Sequence, residues 1–251
     1  MGKLQNKRTI VVGGSTGIGA AIVARFLDEG AGVSVWCHNA DNAKSIAREF
    51  PAIGEAVLAD IADADAIERA FQASINALGG LDIMVCNAGI SLRHDFLDIK
   101  REDFERVLRV NLFGSFHASQ LGARHMMEQS GGAIIFTAST SGVIGYPHYA
   151  DYNASKGAVI ALMRTMALEL APRVRVNAVN PGYTLTPMQE AEYTPEMLQQ
   201  KNDHIPMRRH GRPEEIAGLF AYLASDEAEY ATGQVFTLDG GESTGTIAGN
   251  V

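Results

Sequence analysis

Short β-branched apolar runs alternate with longer stretches of helical period along the whole 251-residue chain. "RTIVV" (8–12) predicts a strand, "GIGAAIVARFLDEG" (17–30) a helix closed by Gly30, and "GVSVW" (32–36) a second strand. A helix over 42–50, a strand over 55–60 ("EAVLAD") and a helix over 63–79 follow, then a fourth strand and glycine turn over 81–89 ("LDIMVCNAG"). The pattern continues with a long helix over about 102–129, a strand over 132–139, a helix over about 150–171 and a strand over 173–182 that ends in a Pro-Gly break. A helix over 213–224 and a last strand over 234–241 complete it.

Strands apolar on both faces and separated by helices imply a parallel sheet covered on both sides. Right-handed crossovers make that a doubly wound, Rossmann-type α/β sheet, in which ligands sit beyond the carboxyl ends of the strands. Composition does not shift along the chain, and there is no repeat or linker rich in Gly and Ser, so residues 1–251 are expected to form one domain. With 46% hydrophobic and 20% charged residues the chain can bury a full core. A net charge of −8 argues against a nucleic-acid surface. Cys37 and Cys86 form no disulfide framework and no metal-ligand spacing, and read as buried reduced thiols; no metal is expected. No signal-peptide core or membrane-length apolar run occurs, so the expected location is cytoplasmic, away from any membrane.

The first strand runs into Gly13, Gly14, Ser15, Thr16, Gly17, Ile18 and Gly19. Glycines there let a phosphate approach the backbone at the positive end of the next helix. The spacing Gly13-x3-Gly17-x-Gly19 is not GxGxxG, and the same residues would also serve a plain tight turn. Asn87, Ala88 and Gly89 either turn the chain or meet a ligand, and Asp60 either accepts from an adenine amino group or caps the segment after it.

Tyr152 and Lys156 lie four apart on one helix face, with Tyr146 and Tyr149 nearby. A phenol working near neutral pH needs its pKa lowered by about three units, roughly 4 kcal/mol, and an adjacent ammonium has the right sign. On its own the pair is ordinary helix surface. Ser139, at a strand's carboxyl end, and Asn111, inside an apolar helix, add polar groups at further places, although a mid-helix Asn also serves packing.

Taken in order, these motifs resemble the short-chain dehydrogenase/reductase family over nearly the whole chain. The glycine turn matches its cofactor turn, although Val12 stands where a threonine is common. Asp60 with Ile61 matches the adenine side, and Asn87, Ala88 and Gly89 the family's "NAG". "NPGYTLT" (180–186), with Pro181, Gly182, Thr184 and Thr186, resembles the segment that meets the nicotinamide. "PMRRHGRPEEIA" (206–217) and "GQVFTLDGG" (233–241) resemble its C-terminal signatures. Asn111, Ser139, Tyr152 and Lys156 match the catalytic tetrad residue by residue. The resemblance implies that Tyr152 exchanges a proton with the substrate oxygen while a hydride moves at nicotinamide C4. Lys156 would lower the phenol's pKa and hold the nicotinamide ribose, Ser139 would hold the substrate oxygen, and Asn111 would support a proton-relaying water. It also implies a homotetramer built through the helices at 102–129 and 150–171.

The resemblance also places the choice of cofactor at residues 37–39. The aspartate common in NAD users is replaced by Cys37, while His38 stands where NADP users often carry arginine and Asn39 lies beside it. NADP(H) is favoured, and NAD(H) remains open. The expected substrate is a small alcohol or ketone with hydrogen-bonding groups, near 143–149, His94, Tyr146, His148, Tyr149 and Tyr183. A lid is expected over 187–210, with Met188, Tyr193, Met197, Ile205 and Met207. Competing readings are a 3-oxoacyl thioester reductase, a non-catalytic dinucleotide sensor and a scaffold oligomer.

Overall fold

The computed structural model describes residues 2–245. Seven strands form one parallel sheet: β1 (Arg8–Val12), β2 (Gly32–Cys37), β3 (Glu55–Leu58), β4 (Ile83–Cys86), β5 (Gly132–Thr137), β6 (Val174–Pro181) and β7 (Val235–Leu238). Their order across the sheet is β3-β2-β1-β4-β5-β6-β7, so the direction of winding reverses between β1 and β4. The helices are α1 (Gly17–Asp28), α2 (Ala40–Glu49), α3 (Ala64–Leu78), α4 (Arg101–Leu108), α5 (Ser115–Glu128), α6 (Ala150–Leu170), α7 (Pro187–Glu192), α8 (Pro195–His204) and α9 (Pro213–Ala224).

The period of two along β1 explains the two-faced core. Ile10 and Val12 join Met84, Ile134 and Phe136 against α3, α5 and α6. Val11 points the other way and joins Val33, Val35, Val85 and Ile135 against α1 and α9. Burial on both faces is what makes the strands read as unbroken apolar runs. Two polar tethers qualify that pattern. The Trp36 indole donates to Ser74 Oγ at 2.8 Å inside the core, and Arg8 grips both carboxylate oxygens of Asp82 at 2.8 Å where β1 and β4 begin.

Three elements differ from expectation. β3 stops at Leu58, because Asp60 accepts from the Ala62 backbone N–H at 2.9 Å and opens a turn. The long helix expected over 102–129 is α4 and α5 joined by a π-helical segment, Arg109–Gly114. This wider turn carries Asn111, fully buried, and ends on Gly114, which presses against Ile61. The expected lid folds as α7 and α8, each opened by a threonine cap and a proline in the first turn.

A Cβ at position 114 would lie 2.4 Å from Ile61 Cγ1 and 2.5 Å from the Ile61 carbonyl oxygen. Gly114→Ala therefore forces the π segment off the β3 end and destabilises the fold by about 1–3 kcal/mol, checked by the urea midpoint at constant m-value.

Candidate active site

Both motif-bearing turns sit where the winding reverses. Val12 and Cys86 are register partners, so the glycine turn and Asn87 leave the sheet side by side. Asn87 Nδ2 donates to the Gly13 carbonyl at 2.8 Å, and its Oδ1 accepts from Thr137 Oγ1 at 2.9 Å. One amide thus ties the ends of β1, β4 and β5 together.

The glycines divide into two kinds. Gly13 has φ +72°, and a Cβ there would lie 2.6 Å from Ala88 Cα; a Cβ on Gly19 would lie 2.0 Å from the Gly13 carbonyl oxygen. These two are demanded by the turn's own packing. Gly17, with φ +53°, would meet only the side chains of Thr186 and Pro187, at 3.2 Å or more. At the start of α1, Thr16 makes no side-chain cap, and no acidic residue stands in the first turn. The helix therefore presents free N–H groups and an uncompensated positive end, a donor set that fits a dinucleotide's pyrophosphate. Asn180, fully buried near the end of β6, has neither amide atom partnered, which leaves donor and acceptor capacity by the segment expected to meet the nicotinamide.

One cavity is lined jointly by Ile18, Ser139, Tyr152, Pro181, Thr184 and Thr186. Thr184, largely buried, donates to the Gly182 carbonyl at 3.1 Å; Thr186 caps α7 and lies against Gly17. Ser139 leads out of β5, its hydroxyl accepting from the Ser141 N–H at 3.1 Å. Tyr152 lies in the first turn of α6. Burial pushes its phenol up to about 12, while the neighbouring Ser139 hydroxyl pulls it down. Lys156 is 3% exposed, and its ammonium donates to the Thr137 carbonyl at 2.7 Å and lies 5.5 Å from the Tyr152 ring centroid. Burial lowers it to about 8. In this arrangement burial governs both groups, and the Lys156 ammonium donates to a backbone carbonyl rather than to the phenol.

Asn111 behaves as a clamp. Its Oδ1 accepts from the Ile90 N–H at 2.8 Å, and its Nδ2 donates to the Ile90 carbonyl at 2.9 Å and to Ser155 Oγ at 3.0 Å. Both amide hydrogens are engaged, so a water could meet only the remaining acceptor capacity of Oδ1. Gly89 runs between Asn111 and Lys156, where a Cβ would lie 3.3 Å from Asn111 Oδ1 and 3.5 Å from Lys156 Nζ.

His38, Asn39, Asp60 and Ile61 lie outside this cavity, after β2 and β3. Asn39 Oδ1 caps α2 through the Asn42 N–H at 2.7 Å, and its amide nitrogen lies 3.3 Å from His38 Nε2. Ile61 is buried against Gly114, and the Cys37 thiol is pushed up by burial. Tyr146, Tyr149 and Tyr183 line the cavity as expected, but His94 and His148 do not. His94 Nε2 stands 3.9 Å from Asp103, and His148 Nδ1 is 2.7 Å from Asp95. Of the lid's apolar residues, Tyr193 and Ile205 are buried, whereas Met188 and Met207 are exposed. Sequence reasoning missed Ser91, Glu192 and Glu242, which also line the cavity. They come from three distant segments with no shared spacing, and only the folding of the lid and C-terminal turn brings them together.

A doubly wound parallel sheet with a glycine-rich turn at its switch point, and a tyrosine beside a buried lysine next to it, is the pattern of a dinucleotide-dependent oxidoreductase class. The chain belongs to the short-chain dehydrogenase/reductase family, whose members use NAD(P)(H). A family model described as enoyl-(acyl carrier protein) reductase matches residues 12–243. The chain is 40% identical over 246 residues to a glucose 1-dehydrogenase of Gluconobacter oxydans (strain 621H), covering 95% of this chain and 92% of that protein. It is 37% identical over 244 residues to the 3-oxoacyl-[acyl-carrier-protein] reductase FabG of Thermotoga maritima, covering 95% and 98% respectively. The crystal structure of a short-chain type dehydrogenase/reductase from Mycobacterium marinum superposes with a TM-score of 0.91 at 38% identity, covering 96% of this chain and 97% of that one. Among the described residues no helix is long and apolar enough to cross a membrane.

The Lys156 shift has a definite sign. Its folded-state pKa, about 8, lies below the ordinary 10.5, so between those values the unfolded chain holds a proton that the folded chain has shed. Measured against Lys156→Met, the wild type gains stability as pH rises through this window, by roughly 3 kcal/mol in all. Urea midpoints at successive pH values check this; a constant difference would show that burial does not penalise the ammonium.

Proposed function

We propose that this oxidoreductase interconverts a secondary alcohol and a ketone, and that it favours NADP(H) over NAD(H). The observation that carries the reading is the convergence of Ser139 and Tyr152 on one cavity, with Lys156 buried behind them. Bound along the glycine turn, the nicotinamide cofactor would supply or take up the hydride. Gly13, Ser15, Thr16, Gly17, Ile18 and Gly19 would hold its pyrophosphate side, Asp60, Ile61, Asn87, Ala88 and Gly89 its adenosine side and the sheet edge, and Pro181, Gly182, Thr184 and Thr186 the nicotinamide. In reduction, Tyr152 gives its phenolic proton to the carbonyl oxygen as the carbonyl carbon accepts the hydride; oxidation runs the same transfers backwards. A phenol held near 12 is protonated throughout the neutral range, which is the form reduction requires. Ser139 orients the reacting oxygen. Lys156 would hold the cofactor's ribose and steady the phenolate when it forms, and Asn111 fixes the Ile90 turn against α6.

The NADP(H) reading is supported by what stands after β2. The buried thiol of Cys37 offers no carboxylate to repel a 2′-phosphate, and His38 with the Asn39 amide offers donors. Residues 1–251 are read as one domain, with 187–210 closing over the site. Exposed Phe113, Phe116 and Leu168, at or beside α5 and on α6, support a homotetramer assembled through those helices. A 3-oxoacyl thioester reductase is the second reading, favoured by the Thermotoga maritima relative. The net charge of −8 and the carboxylates in the cavity weigh against an acidic carrier.

Tyr152→Phe lowers kcat by about 10²–10⁴-fold while leaving NADPH binding within a small factor of wild type, because it removes a proton and not a binding surface. Unchanged turnover would refute the role given to Tyr152. In parallel fluorescence titrations of the wild type, NADPH binds more tightly than NADH. The reverse order would remove the part given to His38 and Asn39.

A further inference from the structure

Besides Ser139 and Tyr152, the cavity wall carries two carboxylates, Glu192 and Glu242, and the phenols of Tyr146, Tyr149, Tyr183 and Tyr193, set among apolar and small hydroxyl side chains. Glu192, the last residue of α7, accepts from the Ser91 hydroxyl through Oε1 and from the Tyr149 hydroxyl through Oε2 at 2.9 Å. Tyr149 also meets the Tyr193 hydroxyl at 2.7 Å. Glu242, in the turn after β7, accepts from the Tyr146 hydroxyl through Oε1 at 2.7 Å. Its Oε2 is buried and has no hydrogen-bond partner; the nearby Tyr183 N–H draws on the carboxylate without completing a bond to that atom. A carboxylate has about four acceptor positions, and neither glutamate fills more than two of them.

We propose that the cavity takes a neutral polyhydroxylated substrate, with Glu192 and Glu242 accepting hydrogen bonds from hydroxyls other than the one that reacts at Tyr152. The inference rests on the alcohol–ketone reading above and narrows its substrate class. An apolar acyl chain would leave Glu242 Oε2 buried without a donor, which is costly wherever water is displaced. An anion would face two carboxyl groups. A cation would find the carboxylates already partly offset by the charge of Lys201, which lies outside the lining with its ammonium 5.0 Å from the Tyr183 ring centroid and 5.9 Å from that of Tyr193. Hydroxyls answer both sides of the wall. They donate to the glutamates and exchange hydrogen bonds with the phenols, which donate and accept. The edge-on Tyr146–Tyr183 pair, with centroids 5.9 Å apart, offers apolar ring surface to the C–H face of such a molecule.

The test uses the full chain with saturating NADP⁺ and, separately, NAD⁺, following nicotinamide absorbance. The probes are five- and six-carbon aldoses and polyols, their monodeoxy analogues, and cyclohexanol as a hydroxyl-poor alcohol. The expected result is a kcat/KM at least about tenfold higher for the best polyhydroxylated probe than for cyclohexanol, with a loss of about tenfold or more when one non-reacting hydroxyl is removed. Glu242→Gln and Glu192→Gln each lower the polyol-to-cyclohexanol ratio of kcat/KM by about tenfold, mainly through KM for the polyol. Deoxy analogues turned over as well as their parents, or cyclohexanol preferred over every polyol, would overturn the inference while the alcohol–ketone reading stands. Failure to turn over any alcohol, with the corresponding ketones also inert, would overturn that reading and this one with it. The deoxy series needs no variant, so a glutamine substitution that fails to fold does not protect the idea.

Discussion

The side chain of Asn87 holds three strand ends in one place, and the site is assembled around it. Its amide donates to the Gly13 carbonyl and accepts from the Thr137 hydroxyl, and the Thr137 carbonyl in turn accepts from Lys156. A single chain of hydrogen bonds therefore runs from the glycine turn to the catalytic helix α6, across the point where the sheet reverses its winding. Such a network keeps its geometry only if every member is satisfied, because a buried polar group left without a partner is costly. Replacing any link would loosen both ends at once: the glycine turn and the buried lysine of α6.

The same chain explains the electrostatics. Lys156 is buried and charged on the strength of one carbonyl, and burial alone brings it down to about 8. Tyr152, in the same enclosed space, is driven up to about 12. The two shifts have one cause and opposite signs, since burial disfavours each charged form. An enclosure that suppresses both charges also magnifies the interaction between them once a ligand excludes the last water. At neutral pH the pair is thus a neutral phenol beside an ammonium held on the Thr137 carbonyl.

Much of this was legible because the parallel sheet buries both faces of its strands, so each strand reads as an apolar run and each helix as a period. The glycine turn and the Tyr152–Lys156 pair were legible as short spacings, whereas Asn111 and Ser139 stand on other elements and were singled out with them only through the family resemblance. The boundaries at Leu58 and Cys86 were not, since side chains of Asp60 and Asn87 end those strands and apolarity carries no such information. The π segment around Asn111 was also hidden: its wide turn is set by the clamp on the Ile90 backbone and by the contact of Gly114 with Ile61, both tertiary. Among the aromatic and histidine residues around the site, position alone separated well for tyrosines and poorly for histidines. Tyr146 and Tyr149 reach the cavity, whereas His94 and His148 turn to Asp103 and Asp95.

Glu192 and Glu242, which line the cavity, show where that legibility ends. The glycine turn, Ser139, Tyr152 and Lys156 sit on elements anchored in the sheet. Residues that face the variable part of a substrate come from α7 and the turn after β7, which pack onto the sheet edge and contribute little to the core. Thr186 joins the two parts: it caps α7, which ends on Glu192, and it rests against Gly17 in the phosphate turn. The start of α7 thus lies against the glycine turn, and the same short helix carries the glutamate at its other end. The glycine turn and Glu192 are therefore joined through the six residues of α7.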